Sequence, residues 1–243
     1  MEYAAPIDRE AVSEGEASSR PQFSVHNSGT TAMVASTFPE MNADSSPQLH
    51  AVMEVPFEED SEWISLPPKP WPRYIRLWRE TPPEAVAVVV CVVSWWGAES
   101  KASSAEALVK DFPRGLPGGF AAVDQEQVIG PSCCCGLEGW KEWLDILTTG
   151  QSPWMGHDPA PFVEVQGEQV CVWADGGLGG KHRGGSPVVF SKREFEKAVH
   201  EAARDLSEFE IPLRQWLNVH APEHVDSLAA EFRESFISCT RST

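Results

Sequence analysis

All ten tryptophans of the 243-residue chain lie between Trp63 and Trp216. Tryptophan supplies the largest apolar surface of any side chain, so we expect the packed core to begin after about residue 60. Residues 1–60 carry 11 acidic residues against two arginines, among many small polar residues. Such a segment buries too little apolar surface to offset the entropy lost on ordering. The sequence therefore predicts a disordered acidic arm over residues 1–60 and a single domain over residues 61–243.

Apolar patterning in this domain predicts an α+β fold, with a mixed, mostly antiparallel sheet covered by two or three helices. The run Val86–Val93 is short, β-branched and apolar on both faces, which predicts a central strand. Two alternating segments, Phe162–Val165 and Val170–Trp173, flank a glycine-containing turn and predict a hairpin. Another short strand is predicted over Pro187–Phe190.

Helical spacing predicts further elements in the second half of the chain. Leucines and tryptophans recur at helical intervals over Leu137–Leu147. Ser191 and Glu194 form a capping box that begins a long helix, and Pro212 is expected to kink or break that helix. Pro222 is well placed to begin a final helix.

The formal net charge of −17 limits the partners that the chain is expected to bind. Nucleic acids and anionic membranes attract Lys and Arg, so we expect neither as a partner. A basic protein is the partner that this charge favours. Segment 71–79 interleaves aromatic residues with arginines. A nucleic-acid stacking platform there stays an alternative to an amphipathic strand.

Targeting signals are not evident in the sequence. The first 25 residues lack a basic start, an apolar run and a cleavage site, so we expect no signal peptide. The apolar run Ala85–Val93 has about half the length that spans a bilayer. Adjacent cysteines are unlike the spaced framework of a secreted domain. These features predict a cytoplasmic protein with reduced thiols.

Cys133, Cys134 and Cys135 are consecutive, and three interpretations of them stay open. In one, a nucleophilic thiol of this triplet works with His157 or His182, as cysteine–histidine pairs do in covalent catalysis. In another, zinc is held by a mixed thiol and imidazole set, namely Cys135, His157, Cys171 and His182. In the interpretation that we favour, the cysteines are small apolar residues packed at a corner.

The glycine-rich segment 175–185 does not match a nucleotide-binding loop. Asp175 stands where a phosphate loop needs its first glycine, and His182 stands where that loop needs Ser or Thr. We therefore predict no cofactor.

Two blocks of the sequence resemble a group of bacterial proteins, many of them actinobacterial. The first is Cys133-Cys-Cys-Gly-Leu-Glu-Gly-Trp-Lys-Glu-Trp-Leu144, and the second is Pro153-Trp-Met-Gly-His-Asp-Pro159. The resemblance covers about residues 115–237 and implies no catalytic residue, because that group has no established activity. In its small size, acidity and α+β style, the chain is also similar to the immunity proteins of bacterial toxin systems.

Together these features predict a non-enzymatic protein-binding module, and more narrowly an immunity-type inhibitor of a basic partner protein. Aromatic and acidic side chains are expected to make the contacts, namely Trp95, Trp96, Trp154, Glu201, Asp205 and Glu208. The alternative is a thiol- or zinc-dependent enzyme that uses Cys133–Cys135 with His157 or His182.

Overall fold

The computed structural model describes six stretches of the chain. Helices and antiparallel sheets share one apolar core in them, so the predicted α+β class is confirmed. The described residues are 46–56, 61–66, 70–97, 101–125, 127–177 and 183–238.

The first sheet has four strands in the order β2-β1-β3-β4, and every ladder in it is antiparallel. Its strands are β1 (Gln48–Glu54), β2 (Tyr74–Arg76), β3 (Gly118–Val123) and β4 (Val128–Ile129). β1 lies between β2 and β3, and five of its seven residues are buried. The predicted disorder of residues 1–60 is therefore wrong for β1. Residues 1–45 and 57–60 lie outside the described residues.

The run Val86–Val93 is helical, so its prediction as a central strand is wrong. It lies within helix α1 (Pro83–Trp95), where Pro83 occupies the first turn and Ala85–Ser94 are all buried. The fixed φ of proline suits a first helical position. A helix that is apolar on every side can exist only inside a protein. Packing against neighbouring helices supplies that environment and overrides the weak helix propensity of valine.

The second sheet has three antiparallel strands in the order β5-β6-β7. β5 (Phe162–Gln166) and β6 (Gln169–Trp173) form the predicted hairpin. Its two-residue turn begins at Gly167, whose φ of +57° is the positive value that a type II′ turn needs at this position. β7 (Val188–Ser191) confirms the other predicted strand. The described residues thus form two sheets where one was predicted, and β5 and β7 are the edges of the second.

Five α-helices follow α1 in the part of the chain that the structure describes. Ser191 and Glu194 form the predicted capping box at the start of the fourth helix. That helix ends at Glu208, and the next begins at Glu210, because Pro212 has no N–H to bond back to Glu208. The helices are α2 (Ala105–Lys110), α3 (Glu142–Thr149), α4 (Lys192–Glu208), α5 (Glu210–His220) and α6 (Val225–Phe232).

Two of the predicted helices begin with a short 3₁₀ turn. A 3₁₀ turn at Leu137–Lys141 precedes α3, and another that begins at Pro222 precedes α6. No helix in the described stretches is both long enough and apolar enough to cross a membrane.

Helix α4 connects the two sheets. It packs against β1 of the first sheet and against β6 and β7 of the second. Arg76 of β2 donates a hydrogen bond to Asp205 of α4 at 2.6 Å, and the two side chains are only 12% and 14% exposed. This ion pair therefore lies within the helix–sheet contact.

Candidate functional site

Two loops meet at the candidate site. We call residues 130–136, after β4, the cysteine loop and residues 151–161, after α3, the tryptophan loop. The backbone N–H of Ser132 donates to the carbonyl of Met155 at 2.8 Å, and its hydroxyl donates to the carbonyl of Pro159 at 2.5 Å. The indole N–H of Trp154 donates to the carbonyl of Cys134 at 2.9 Å. These three bonds fasten one loop to the other.

Gly156 allows the two loops to approach closely. Its φ is +102°, and an added Cβ would lie 2.2 Å from Ser132 Oγ and 2.7 Å from the carbonyl oxygen of Cys133. A side chain would meet both a strained backbone and a steric clash here. Glycine at this position therefore sets the distance between the cysteine loop and the next residue, His157.

Two thiols and an imidazole converge where the loops touch. Cys133 Sγ lies 3.4 Å from His157 Nδ1, and one ligand atom from each of Cys133, Cys134 and His157 lies within 4.8 Å of the others. All three residues are exposed. Cys134 has a φ of +64°, which is uncommon for a residue other than glycine. Adjacent side chains of an extended chain point to opposite sides, and this turn brings the two thiols together.

Trp154 lies beside the imidazole of the cluster. Its ring stacks on that of His157 with a centroid separation of 6.2 Å and an interplanar angle of 23°. The indole is itself held by the carbonyl of Cys134. The position of His157 is thus set by an anchored aromatic neighbour as well as by the backbone.

The third cysteine of the triplet points away from the cluster. Cys135 is buried, and its thiol donates to the carbonyl of Trp154 at 3.2 Å. Burial, with a smaller effect from Glu138 and then Glu142, raises the pKa of Cys135 to about 12. A thiol in this environment is a packed, neutral group. The structure thus brings together three of the four residues of the predicted catalytic set and leaves out Cys135.

The predicted set of zinc ligands is wrong for Cys135 and Cys171. Cys171 is buried in the middle of β6, opposite Glu164 of β5, and burial raises the pKa of its thiol. Within the part of the chain that the structure describes, neither Cys135 nor Cys171 joins a group of three metal-ligating side chains. His182 lies outside the described residues. Of the three members of the predicted set that the structure describes, only His157 belongs to the cluster.

A cleft of about 570 Å³ lies between the tryptophan loop and β5. The backbone N–H of Val163 points into it, since it donates to Ser152 Oγ at 2.9 Å. Backbone groups alternate in direction along an antiparallel strand. The N–H and carbonyl of Val165 therefore face the same way, away from β6. The cleft runs along the edge of the second sheet that no other described strand covers.

Two carboxylates, Glu142 and Glu164, and two aromatic residues, Trp154 and Phe162, line the cleft. Glu142 accepts a hydrogen bond from the backbone N–H of Trp154 at 2.9 Å. In the described ranges, no cation pairs with Glu142. Glu164 accepts from the guanidinium of Arg183 at 3.0 Å, and this hydrogen bond lowers the pKa of Glu164. The Trp154 side chain is 53% exposed.

The other predicted contact tryptophans lie at the end of α1. Trp96 is 41% exposed, whereas Trp95 is half-buried against the core with the ammonium of Lys101 over its ring.

The predicted acidic contacts lie on α4. Glu201 and Glu208 are half-buried, and Glu201 pairs with Lys197 at 3.7 Å. The carboxylate of Asp205 is bonded to Arg76 inside the helix–sheet contact. Of these three side chains, Asp205 therefore has a role within the fold already.

The interleaved segment 71–79 has two of its three arginines engaged by carboxylates. Arg73 donates to Glu54 at 3.0 Å, and Arg76 donates to Asp205. The absence of nucleic-acid binding stays a prediction, and these pairings agree with it.

The sequence analysis predicted strand β5 but did not predict the cleft, the edge position of β5 or the role of Glu142. Ser152 and Pro153 mark a loop in the sequence, but no local signal says which strand of a hairpin becomes an edge.

Comparisons with protein-family models, with curated proteins and with solved structures find no match to the chain.

Proposed function

We propose that the protein is a protein-binding module that receives an extended, basic segment of a partner along the open edge of β5. The observation that carries this proposal is the cleft of about 570 Å³ beside that edge. An unpaired strand edge offers N–H and carbonyl groups at the spacing that another strand needs. Strand addition is a common mode of peptide recognition.

The backbone groups of β5 support this mode of binding. Val165 offers both an N–H and a carbonyl to the cleft, and Val163 offers a carbonyl. The N–H of Val163 is held by the side chain of Ser152. A hydroxyl is a replaceable partner, so a bound strand can take its place without loss of a hydrogen bond.

Charge supports a basic occupant. Glu142 lines the cleft and pairs with no cation in the described ranges, whereas the other lining carboxylate, Glu164, is already paired with Arg183. The chain also has a formal net charge of −17. Complementary charge speeds the encounter of partners and disfavours acidic competitors. Trp154 adds a half-exposed aromatic group at the cleft wall, the residue type most enriched among energetically dominant contacts.

The narrower form of this proposal is an immunity-type inhibitor of a basic toxin protein. The acidic charge and the similarity to immunity proteins support it. In that form, the segment bound along β5 belongs to the toxin.

A proline substitution in each edge strand tests the proposal. Val165→Pro removes an N–H that faces the cleft, and edge strands tolerate proline where the N–H faces outward. Val189→Pro is the matched control, because Val189 has the corresponding outward position in β7 on the opposite edge of the same sheet. The probe is a displayed library of random peptides selected against the full chain.

We expect enrichment of peptides that combine β-branched residues with Lys or Arg. Their affinity should fall at least about tenfold in Val165→Pro, which is about 1.4 kcal/mol, and should be unchanged in Val189→Pro. Equal affinity for both variants, or selected peptides without basic residues, would contradict the proposal. Circular dichroism of both variants verifies that each is folded.

A second candidate function is a thiol-dependent enzyme, favoured by the 3.4 Å separation of Cys133 Sγ and His157 Nδ1. In this mechanism, the Cys133 proton passes to His157 and the thiolate sulfur bonds to an acyl carbon of the substrate. The leaving group departs with that proton. Alkylation of the full chain by iodoacetamide tests this mechanism. Cys133 should be alkylated faster than Cys134, and the alkylation rate of Cys133 should fall at least about tenfold in His157→Gln. Equal rates for the two cysteines, or no change in His157→Gln, would contradict it.

A further inference from the structure

We propose that Cys133, Cys134 and His157 form a zinc site that leaves one coordination position open. The inference goes beyond protein binding at β5, because none of these residues lines the cleft.

The measured separations fit a tetrahedral ion. Zn–S bonds of about 2.3 Å and Zn–N bonds of about 2.0–2.1 Å place a sulfur and a nitrogen ligand about 3.6 Å apart, and two sulfur ligands about 3.8 Å apart. Cys133 Sγ and His157 Nδ1 are separated by 3.4 Å. The Cys134 ligand atom lies within 4.8 Å of both. These separations lie close to the distances that a tetrahedral zinc ion requires.

The ligand types select the metal. Thiolates and imidazole favour zinc and other thiophilic ions over Mg²⁺ and Ca²⁺, which prefer oxygen. Two thiolates also neutralise the double charge of a zinc ion. No carboxylate belongs to the cluster as the structure describes it.

Metal binding accounts for more of the local structure than a nucleophilic dyad does. A dyad of Cys133 and His157 has no need of Cys134, whose uncommon positive φ brings its thiol to the same side. A metal site uses all three side chains. Three protein ligands with one open position are the pattern of catalytic zinc, and the exposure of the cluster makes that position accessible.

Metal content and affinity of the tag-free, full-length chain test this inference. After removal of metal by a chelator and dialysis with a reducing agent, zinc is titrated in competition with a chromophoric chelator. Cobalt is titrated separately, because thiolate-to-cobalt absorption reports the number of thiolate ligands. The variants are Cys133→Ser, Cys134→Ser and His157→Gln. Cys135→Ser is the control, since the adjacent Cys135 thiol lies outside the cluster and a hydroxyl can still donate to the carbonyl of Trp154.

We expect one zinc ion per wild-type chain, with affinity lower by at least about tenfold in each of the three ligand variants, a change of about 1.4 kcal/mol. Cys135→Ser should bind zinc like the wild type. Cobalt absorption from thiolates should fall by about half in each of the two ligand-cysteine variants, as expected for two sulfur ligands.

Three results would overturn the inference. These are less than stoichiometric zinc in the wild type, equal weakening in Cys135→Ser, and intact masses that show a Cys133–Cys134 disulfide under the reducing conditions used. A thermal melt of each variant distinguishes lost ligands from lost folding. Peptide binding along β5 is measured on metal-free protein, so it succeeds or fails independently of the zinc site.

Discussion

We expect buried His50 to make the folded protein sensitive to mild acid. It lies in β1 and is only 2% exposed. Burial, with a smaller effect from the positive charge of Arg76, lowers its pKa from 6.5 to about 3. The folded protein therefore keeps His50 neutral at pH values where the unfolded chain has already taken up a proton.

The sign and size of the effect follow from proton linkage. The contribution of neutral His50 to stability is complete above the unfolded pKa of 6.5 and is lost as the pH falls toward the folded pKa of about 3. Between about pH 7 and about pH 5, this single group lowers the free energy of unfolding by about 2 kcal/mol. A histidine in an unpacked arm has no such effect.

Urea unfolding monitored by tryptophan fluorescence measures this contribution. His50→Leu removes the titrating imidazole and places an apolar side chain at the same buried position of β1. Its free energy of unfolding should fall by about 2 kcal/mol less than that of the wild type between about pH 7 and about pH 5. His200→Gln, at an exposed position of α4, should keep the wild-type pH dependence.

Equal pH dependence of wild type and His50→Leu would refute the assignment of β1 to the core. An NMR titration of the His50 ring resonance tests the same assignment in the wild-type protein, so it does not depend on whether His50→Leu folds. In the native wild-type protein, that resonance should show no titration between about pH 7 and about pH 5. A midpoint near 6.5 would refute the reasoning.

Two further predictions concern the loop contact and the helix–sheet contact. Gly156→Ala should lower the free energy of unfolding by about 1–3 kcal/mol, because residue 156 has a positive φ and an added Cβ would clash with the cysteine loop. Gly139→Ala is the control, because its added Cβ meets nothing within 4 Å. It should change the free energy of unfolding by less than about 1 kcal/mol. Similar urea midpoints for the two alanine variants would contradict this. Arg76→Met should cost about 3 kcal/mol, because it leaves the mostly buried carboxylate of Asp205 without its cation. Lys110→Met, from an exposed pair with 72% and 64% exposed side chains, should leave the stability nearly unchanged. Equal losses of melting temperature in Arg76→Met and Lys110→Met would refute the distinction.

Local signals were sufficient where the physics is local. The hairpin of β5 and β6 follows from alternation and from the ability of Gly167 to adopt a positive φ. The start of α4 follows from two side chains, Ser191 and Glu194, that satisfy backbone N–H groups within one turn. The break after Glu208 follows from a hydrogen bond that Pro212 cannot make.

The elements that the sequence analysis assigned wrongly, α1 and β1, are those whose structure depends on burial in the folded protein. The valines of α1 are apolar on every face, so periodicity cannot distinguish a buried helix from a buried strand. Packing against other helices selects the helix. β1 contains Gln48, His50 and Glu54 among its seven residues, which weakens its apolar signal. It becomes a central strand because β2 and β3 cover both of its edges.

The candidate site depends on both levels of information. The sequence by itself determined that the chain has three adjacent thiols, a histidine and a tryptophan in two nearby segments, and that it is strongly acidic. Only the tertiary structure decided which of them meet. Contacts between residues 24 positions apart, such as Cys133 and His157, depend on the close approach of two loops at Gly156. The inward turn of Cys135 and the open edge of β5 depend on which neighbours exclude water, and that is a property of the packed fold.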